Sequence, residues 1–118
     1  MPISYITYKD KQILFIDLTE SKTEQRSLEL LEEAKKYFIE ADEKLLVLTS
    51  TEGSFVNTNV TTKMKEYGKM YFSKGAKRRA FVGITGVKKI LFKAYMKIVG
   101  GEAKAFDSLR EAKEYLVS

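Results

Sequence analysis

The sequence predicts an α/β domain built on a mixed, mostly parallel five-stranded sheet with four helices, in the order ββαβαβαβα. Three observations predict it. Uninterrupted apolar runs, Ile13-Leu14-Phe15-Ile16, Leu45-Leu46-Val47-Leu48 and Ala80-Phe81-Val82-Gly83-Ile84, read as strands buried on both faces. Each run is followed by a segment with apolar residues at helical spacing, the alternation that produces parallel sheets. A short alternating segment precedes the first run, with only a polar turn between, which makes an opening hairpin.

The elements follow in order. Ile3, Tyr5 and Thr7 alternate with Ser4, Ile6 and Tyr8, as in a half-exposed strand. Lys9-Asp10-Lys11 makes the turn, because Asp tolerates the left-handed backbone of a tight hairpin. Residues 12–18 form the second, central strand. Ser21-Lys22-Thr23-Glu24 fits a capping box and opens a helix to about residue 41. Its apolar stripe is Leu28, Leu31, Ala34 and Phe38, flanked by Leu30, Tyr37 and Ala41. The strand 45–48 leads through a polar loop, 49–57, into a helix over 58–72 with Val60, Met64, Tyr67 and Tyr71 on one face. The strand 80–84 turns at Thr85-Gly86 into a helix with Val87, Ile90, Leu91, Ala94, Tyr95 and Ile98 at helical spacing. Gly100-Gly101 ends it. A short strand, 103–106, precedes a second capping box, Ser108-Leu109-Arg110-Glu111, and a last helix through residue 116.

The 118 residues, 44% of them hydrophobic, suit one globular domain spanning residues 1–118. No run of ~18 apolar residues is present. The segment Met1-Pro2-Ile3-Ser4 lacks the basic start and apolar stretch of a signal peptide, so a cytoplasmic protein is expected. The chain has no cysteine and no histidine, which removes thiolate and imidazole chemistry, including Ser-His-Asp and Cys-His catalysis, and the usual zinc, iron and copper ligands. Neither a cofactor nor a metal is expected. Asp17 and Glu20 form no convincing acid–base pair. Gly83-Ile84-Thr85-Gly86 lacks the spacing and lysine of a phosphate loop. A non-enzymatic binding protein is the expectation.

The order of elements has a counterpart. Together with Phe81-Val82-Gly83-Ile84-Thr85-Gly86-Val87-Lys88-Lys89-Ile90-Leu91 and Ala105-Phe106-Asp107-Ser108-Leu109-Arg110-Glu111-Ala112, it resembles the SpoIIAA-like family of the wider STAS-domain group. The likeness covers nearly the whole chain, so residues 1–118 are read as a single STAS-like domain. It implies a compact α/β domain that acts by binding, often in bacterial regulation. Some members are also described by analogy with lipid-binding CRAL-TRIO domains. In the anti-anti-sigma members a phosphorylatable serine, preceded by aspartate, opens the helix after the second parallel strand. Here Asn57 stands at the aspartate position and Thr58 at the serine position, followed by Asn59 and Val60 instead of the family's Ser-Gly. The resemblance thus implies a regulatory protein partner docking on the loop and helix of residues 54–72, with Thr58 as its phosphorylation switch and Asn57 beside it.

Parallel strands gather their strand-to-helix loops at one edge, where ligands of open α/β sheets bind. Thr19, Ser21, Thr49, Ser50, Thr85 and Gly86 lie in those loops and are candidates for an anion-binding rim at helix starts. The same residue types are the preferred helix caps, the competing explanation.

The charge is uneven. Residues 63–104 carry 12 basic and two acidic groups, a net +10, while residues 1–62 and 105–118 carry −4 and −1. One-signed fields attract anionic partners. Lys89, Lys93 and Lys97 form an i, i+4, i+8 row, with Phe92 and Met96 beside the main apolar face. That composition predicts a basic, greasy surface for an anionic amphiphile, lipid or membrane, or for a second copy in a homodimer; a solvated lysine face is the plainer alternative. Nucleic acid is the weakest candidate partner. A second basic group, Lys74, Lys77, Arg78 and Arg79, is read as a connection before the strand at residue 80.

Overall fold

The computed structural model describes residues 2–100 and 102–118. Five strands form one sheet in the order β1-β2-β3-β4-β5, with β1 (Ile3–Tyr8), β2 (Lys11–Asp17), β3 (Leu45–Ser50), β4 (Ala76–Val82) and β5 (Ala103–Phe106). β1 pairs antiparallel with β2, and every other pairing is parallel. The helices are α1 (Glu24–Glu40), a continuous run of α2 (Thr58–Tyr67), a π-helical turn (Gly68–Phe72) and α3 (Ser73–Gly75), then α4 (Val87–Val99) and α5 (Leu109–Val117). The expected fold class is therefore the observed one.

The hairpin turn is as tight as the sequence allows. Tyr8 pairs with Lys11, and Lys9 and Asp10 both take positive φ, 49° and 64°. Two positive values define the turn whose twist matches the flanking strands.

Strand order dictates the layers. Crossovers between neighbouring parallel strands are right-handed, so three successive crossovers in one direction leave their helices on one face. α1 packs on α2, and α2 packs on α4, while α5 lies against β3, β4 and β5. The core divides accordingly. Leu14, Ile16 and Val47 meet Leu30, Leu31, Ala34, Val60, Tyr67 and Phe72 on the three-helix face. Ile13, Leu48, Ala80 and Val82 meet Ala112 and Leu116 of α5 on the other.

Three local details differ from the sequence reading. α1 is capped by Thr23, whose hydroxyl accepts from Arg26 N at 3.1 Å, so the box beginning at Ser21 starts two residues early. Ser21 is buried instead, its hydroxyl 2.5 Å from that of Ser27. The helix expected over 58–72 contains the π-turn, closed by Ser73 N–H donating to Gly68 O. Tyr67 and Phe72, five residues apart, are both buried. Such residues point apart on an α-helix but stack in a π-turn, whose bonds span five residues. Finally, β4 begins at Ala76, so Lys77, Arg78 and Arg79 belong to a strand and not to a connection. Strand alternation sends Arg79 to the three-helix face beside Phe81, and Arg78 to the α5 face. There Arg78 Nη1 donates to Tyr115 O at 2.8 Å and to Ser118 O at 2.7 Å.

Two strand ends also move: β3 runs on through Thr49 and Ser50, read as loop, and β4 stops at Val82, before Gly83 and Ile84. Ser108 caps α5, accepting from Glu111 N at 3.2 Å. Gly100 follows α4 with φ 71°, while Gly101 lies outside the described residues.

Candidate functional site

The parallel register brings the loops after β2, β3, β4 and β5 to one edge. The loop after β3 is stitched to its neighbours there. Thr51 N donates to Val82 O at 2.8 Å, and Phe55 N donates to Ser21 O at 2.7 Å. Gly83 has φ 88° and packs so closely on Glu52 that a Cβ would lie 2.4 Å from Glu52 N. No other residue fits that contact without moving the loop.

The expected hydroxyl rim is mostly internal. Ser21, Thr49 and Ser50 are buried, at 1%, 6% and 6% exposure. Thr19 is tied to Asp17, its N and Oγ1 donating to Asp17 Oδ1 at 3.0 and 2.6 Å. Thr85 and Gly86 alone of the six are exposed. The correction has a simple cause. Thr49 and Ser50 belong to β3 itself, paired with Phe81 and Val82 inside the sheet, and Ser21 is covered by the β3–α2 loop, whose Phe55 N donates to its carbonyl.

Thr58 is exposed at the first position of α2. Asn57 caps the helix, its Oδ1 accepting from Val60 N at 2.9 Å. Its Nδ2 donates to Glu24 Oε1 at 2.5 Å, and Asn59 Nδ2 donates to the same oxygen at 3.1 Å. These bonds, that from Asn57 foremost, hold the Glu24 carboxyl below its usual range. A carboxylate therefore sits against the residues on both sides of Thr58.

α4 is turned relative to the sequence reading. The face that packs inward holds Tyr95, buried, with Phe92 half-buried, its ring 5.1 Å from that of Phe81. Val87, Ile90 and Ile98, read as core, are 66%, 70% and 48% exposed. They recur at i, i+3 and i+11 with Ala94 between, a continuous apolar stripe along the outside. Lys89, Lys93 and Lys97 are exposed beside it. The basic, greasy surface exists, but its apolar part is Val87, Ile90 and Ile98, not Phe92 and Met96, which are both partly buried. The two large rings win the inward side because they bury more apolar area than branched aliphatics.

Beneath α4 lies a cavity of about 60 Å³, bounded by Leu31 of α1, Phe55 and Val56 of the β3–α2 loop, Val60 and Met64 of α2, Phe81 of β4, and Leu91, Phe92 and Tyr95 of α4. Its walls are almost wholly apolar. The close approach of α4 to the π-turn frames it, since a Cβ on Gly68 would meet the Tyr95 hydroxyl at 2.7 Å. Lys88 lines the cavity and donates to Thr51 O at 2.6 Å. Burial, and then the nearby Lys22, lowers the Lys88 pKa. Lys22 itself donates to Gly53 O at 2.7 Å, so two ammonium groups meet on one loop.

A smaller cavity of about 20 Å³ adjoins it, sharing Leu18, Leu31, Met64 and Phe81 as walls and adding Thr49, Phe72 and Arg79. Arg79 is only 5% exposed. Its Nη2 donates to the Tyr95 hydroxyl at 2.5 Å. Sequence reasoning missed both cavities and Arg79. The signal for Arg79 was present, because period-2 alternation aligns it with buried Phe81. The cavities depend on strand order, which the sequence does not state.

Among the described residues no group of acidic side chains is arranged to hold a metal ion, and no helix is long and apolar enough to cross a membrane.

Comparison with protein-family profiles finds no match, and comparison with curated proteins finds none. Among solved structures, an uncharacterized protein of the DUF3478 family from Shewanella loihica, with a SpoIIAA-like fold, is similar to this chain. The TM-score is 0.74 at 16% identity, over 97% of this chain and 91% of that one. The chain has a SpoIIAA-like fold.

Proposed function

We propose that this SpoIIAA-like domain is a non-enzymatic binding module for an anionic amphiphile, taken up in the cavity under α4 from an anionic membrane surface. The apolar cavity beside cationic groups is the observation that carries the reading. Ligand sites are concave, mostly apolar and equipped with a few placed polar groups, and this one shares that lining; at about 60 Å³, against the usual ~300–1,000 Å³, it must widen as the guest enters. The outer face of α4 supports the membrane half. An apolar stripe flanked by lysines is the pattern of a helix that lies in the headgroup region. A fluorescent fatty acid tests the reading: saturable binding that is lost in a Leu91→Trp variant, which fills the cavity, supports it. Equal binding by both proteins contradicts it.

A regulatory role through a protein partner is the second reading. The surface would be residues 54–72, and the exposed Thr58 at the start of α2 favours it. The same loop and helix form walls of the cavity, so an occupied cavity and a docked partner would share one surface. Phosphate on Thr58 would meet the positive end of α2 and also the Glu24 carboxylate, which opposes it. A Thr58→Glu variant that binds partners from its own cells as the parent does would remove the switch.

A further inference from the structure

Arg79 carries a charge that the folded chain does not neutralise. Among the described residues it forms no ion pair, and its Nε and Nη1 have no hydrogen-bond acceptor. The rings of Phe81, Tyr95 and Phe72 surround its Cζ at 5.1, 5.2 and 5.8 Å. Ring faces offset part of the cost of desolvating a cation, but they accept no conventional hydrogen bond. Burying an unpaired guanidinium is among the most costly things a core can do. A packed apolar side chain would serve the core better. Free N–H donors on a buried cation, held rigid beside a cavity, are the means by which proteins bind carboxylates.

We propose that Arg79 receives the carboxylate of a fatty-acid-type amphiphile, bound head group inward. The small cavity at Arg79, about 20 Å³, has room for one or two water-sized groups, the size of the two oxygens of a carboxylate. The hydrocarbon chain then enters the adjoining apolar cavity, which widens from its about 60 Å³ to take it, and points towards Lys88. Tyr95 positions the guanidinium by holding Nη2, and it leaves Nε and Nη1 for the ligand. The inference rests on reading the larger cavity as a ligand site. It adds the chemical class of the head group and the direction in which the guest lies.

Calorimetric titration of the whole protein with decanoate and with 1-decanol, below their aggregation concentrations, tests it. The wild type should prefer the acid by about tenfold or more, the worth of a charge-assisted hydrogen bond. Arg79→Met should lose that preference and still bind the alcohol, and Lys88→Gln should keep it. Equal binding of acid and alcohol by the wild type overturns the proposal while leaving the cavity as an apolar site. Preference lost in Lys88→Gln and kept in Arg79→Met also overturns it, by placing the head group at the outer lysines. Binding of neither probe removes the site altogether. A measurement on the wild type alone is independent of how the variants fold. Decanoate labelled with carbon-13 at the carboxyl should be shielded from a soluble paramagnetic agent when bound; a carboxyl as exposed as that of the free acid rejects the inward orientation.

Discussion

The hydroxyl of Tyr95 and Nη2 of Arg79, 16 residues apart in sequence, are joined by a buried 2.5 Å hydrogen bond that ties α4 to β4. It is the one hydrogen bond the Arg79 side chain makes among the described residues. Tyr95→Phe removes it and leaves the guanidinium without any acceptor, at a cost of about 1–3 kcal/mol. Arg79→Met removes the charge itself and should leave stability unchanged or raised, since apolar replacements of buried charges are often neutral or stabilising. The urea midpoint should therefore fall in Tyr95→Phe and hold or rise in Arg79→Met. A large loss in Arg79→Met would mean that the arginine serves the core.

Gly83 holds the β3–α2 and β4–α4 loops together where they meet at the edge of the sheet. Alanine there adds a Cβ 2.4 Å from Glu52 N at a φ of 88°. Strain and displacement together should cost more than about 1 kcal/mol, seen as a lower thermal midpoint. Alanine at Thr85, exposed two residues later, should leave the midpoint nearly unchanged.

The Glu24 cluster gives a pH dependence of definite sign. Its carboxyl is held below the usual range by Asn57 and then Asn59, so the folded state favours the charged form. That stabilisation is complete above the unfolded carboxyl value, near ~4.3, and is lost as pH falls through the lowered folded value. Unfolding measured at pH 7 and at pH 3 should separate wild type from Glu24→Gln at the higher pH and bring the two together at the lower. A gap that is constant with pH would contradict the assignment.

The outer face of α4 should behave as an interfacial helix. Sedimentation with anionic vesicles should carry the wild type down at low salt and less of it at high salt, because surface attraction is screened within about 8 Å at physiological salt. Ile90→Glu and the combined Lys89→Gln, Lys93→Gln, Lys97→Gln variant should each reduce it. Binding that both variants retain would remove α4 from the contact.

Most of the fold was legible because its signals are local and agree with one another. The apolar runs at 13–16 and 45–48, and the first three residues of the run at 80–84, became parallel strands, and Ser108 capped its helix as the spacing predicts. The site was less legible, for two reasons. α4 is apolar on two adjoining arcs, one with Phe92 and Tyr95 and one with Val87, Ile90 and Ile98. Periodicity cannot say which arc faces the sheet; ring size favours the first. Arg79 follows Lys77 and Arg78, and a run of cations looks like surface. Its burial comes from the helices that cover its face of the sheet, where Phe72 and Tyr95 close over it beside Phe81, and that covering is a fact of topology.

The most direct test of the central claim is residue-resolved. Nitrogen-15 NMR spectra of the protein should be followed as decanoate is added. The account predicts saturable shifts concentrated at Leu31, Val60, Met64, Phe81, Leu91 and Tyr95, around the cavity. Shifts confined to the exposed lysines of α4, or no saturable shift at all, would contradict it.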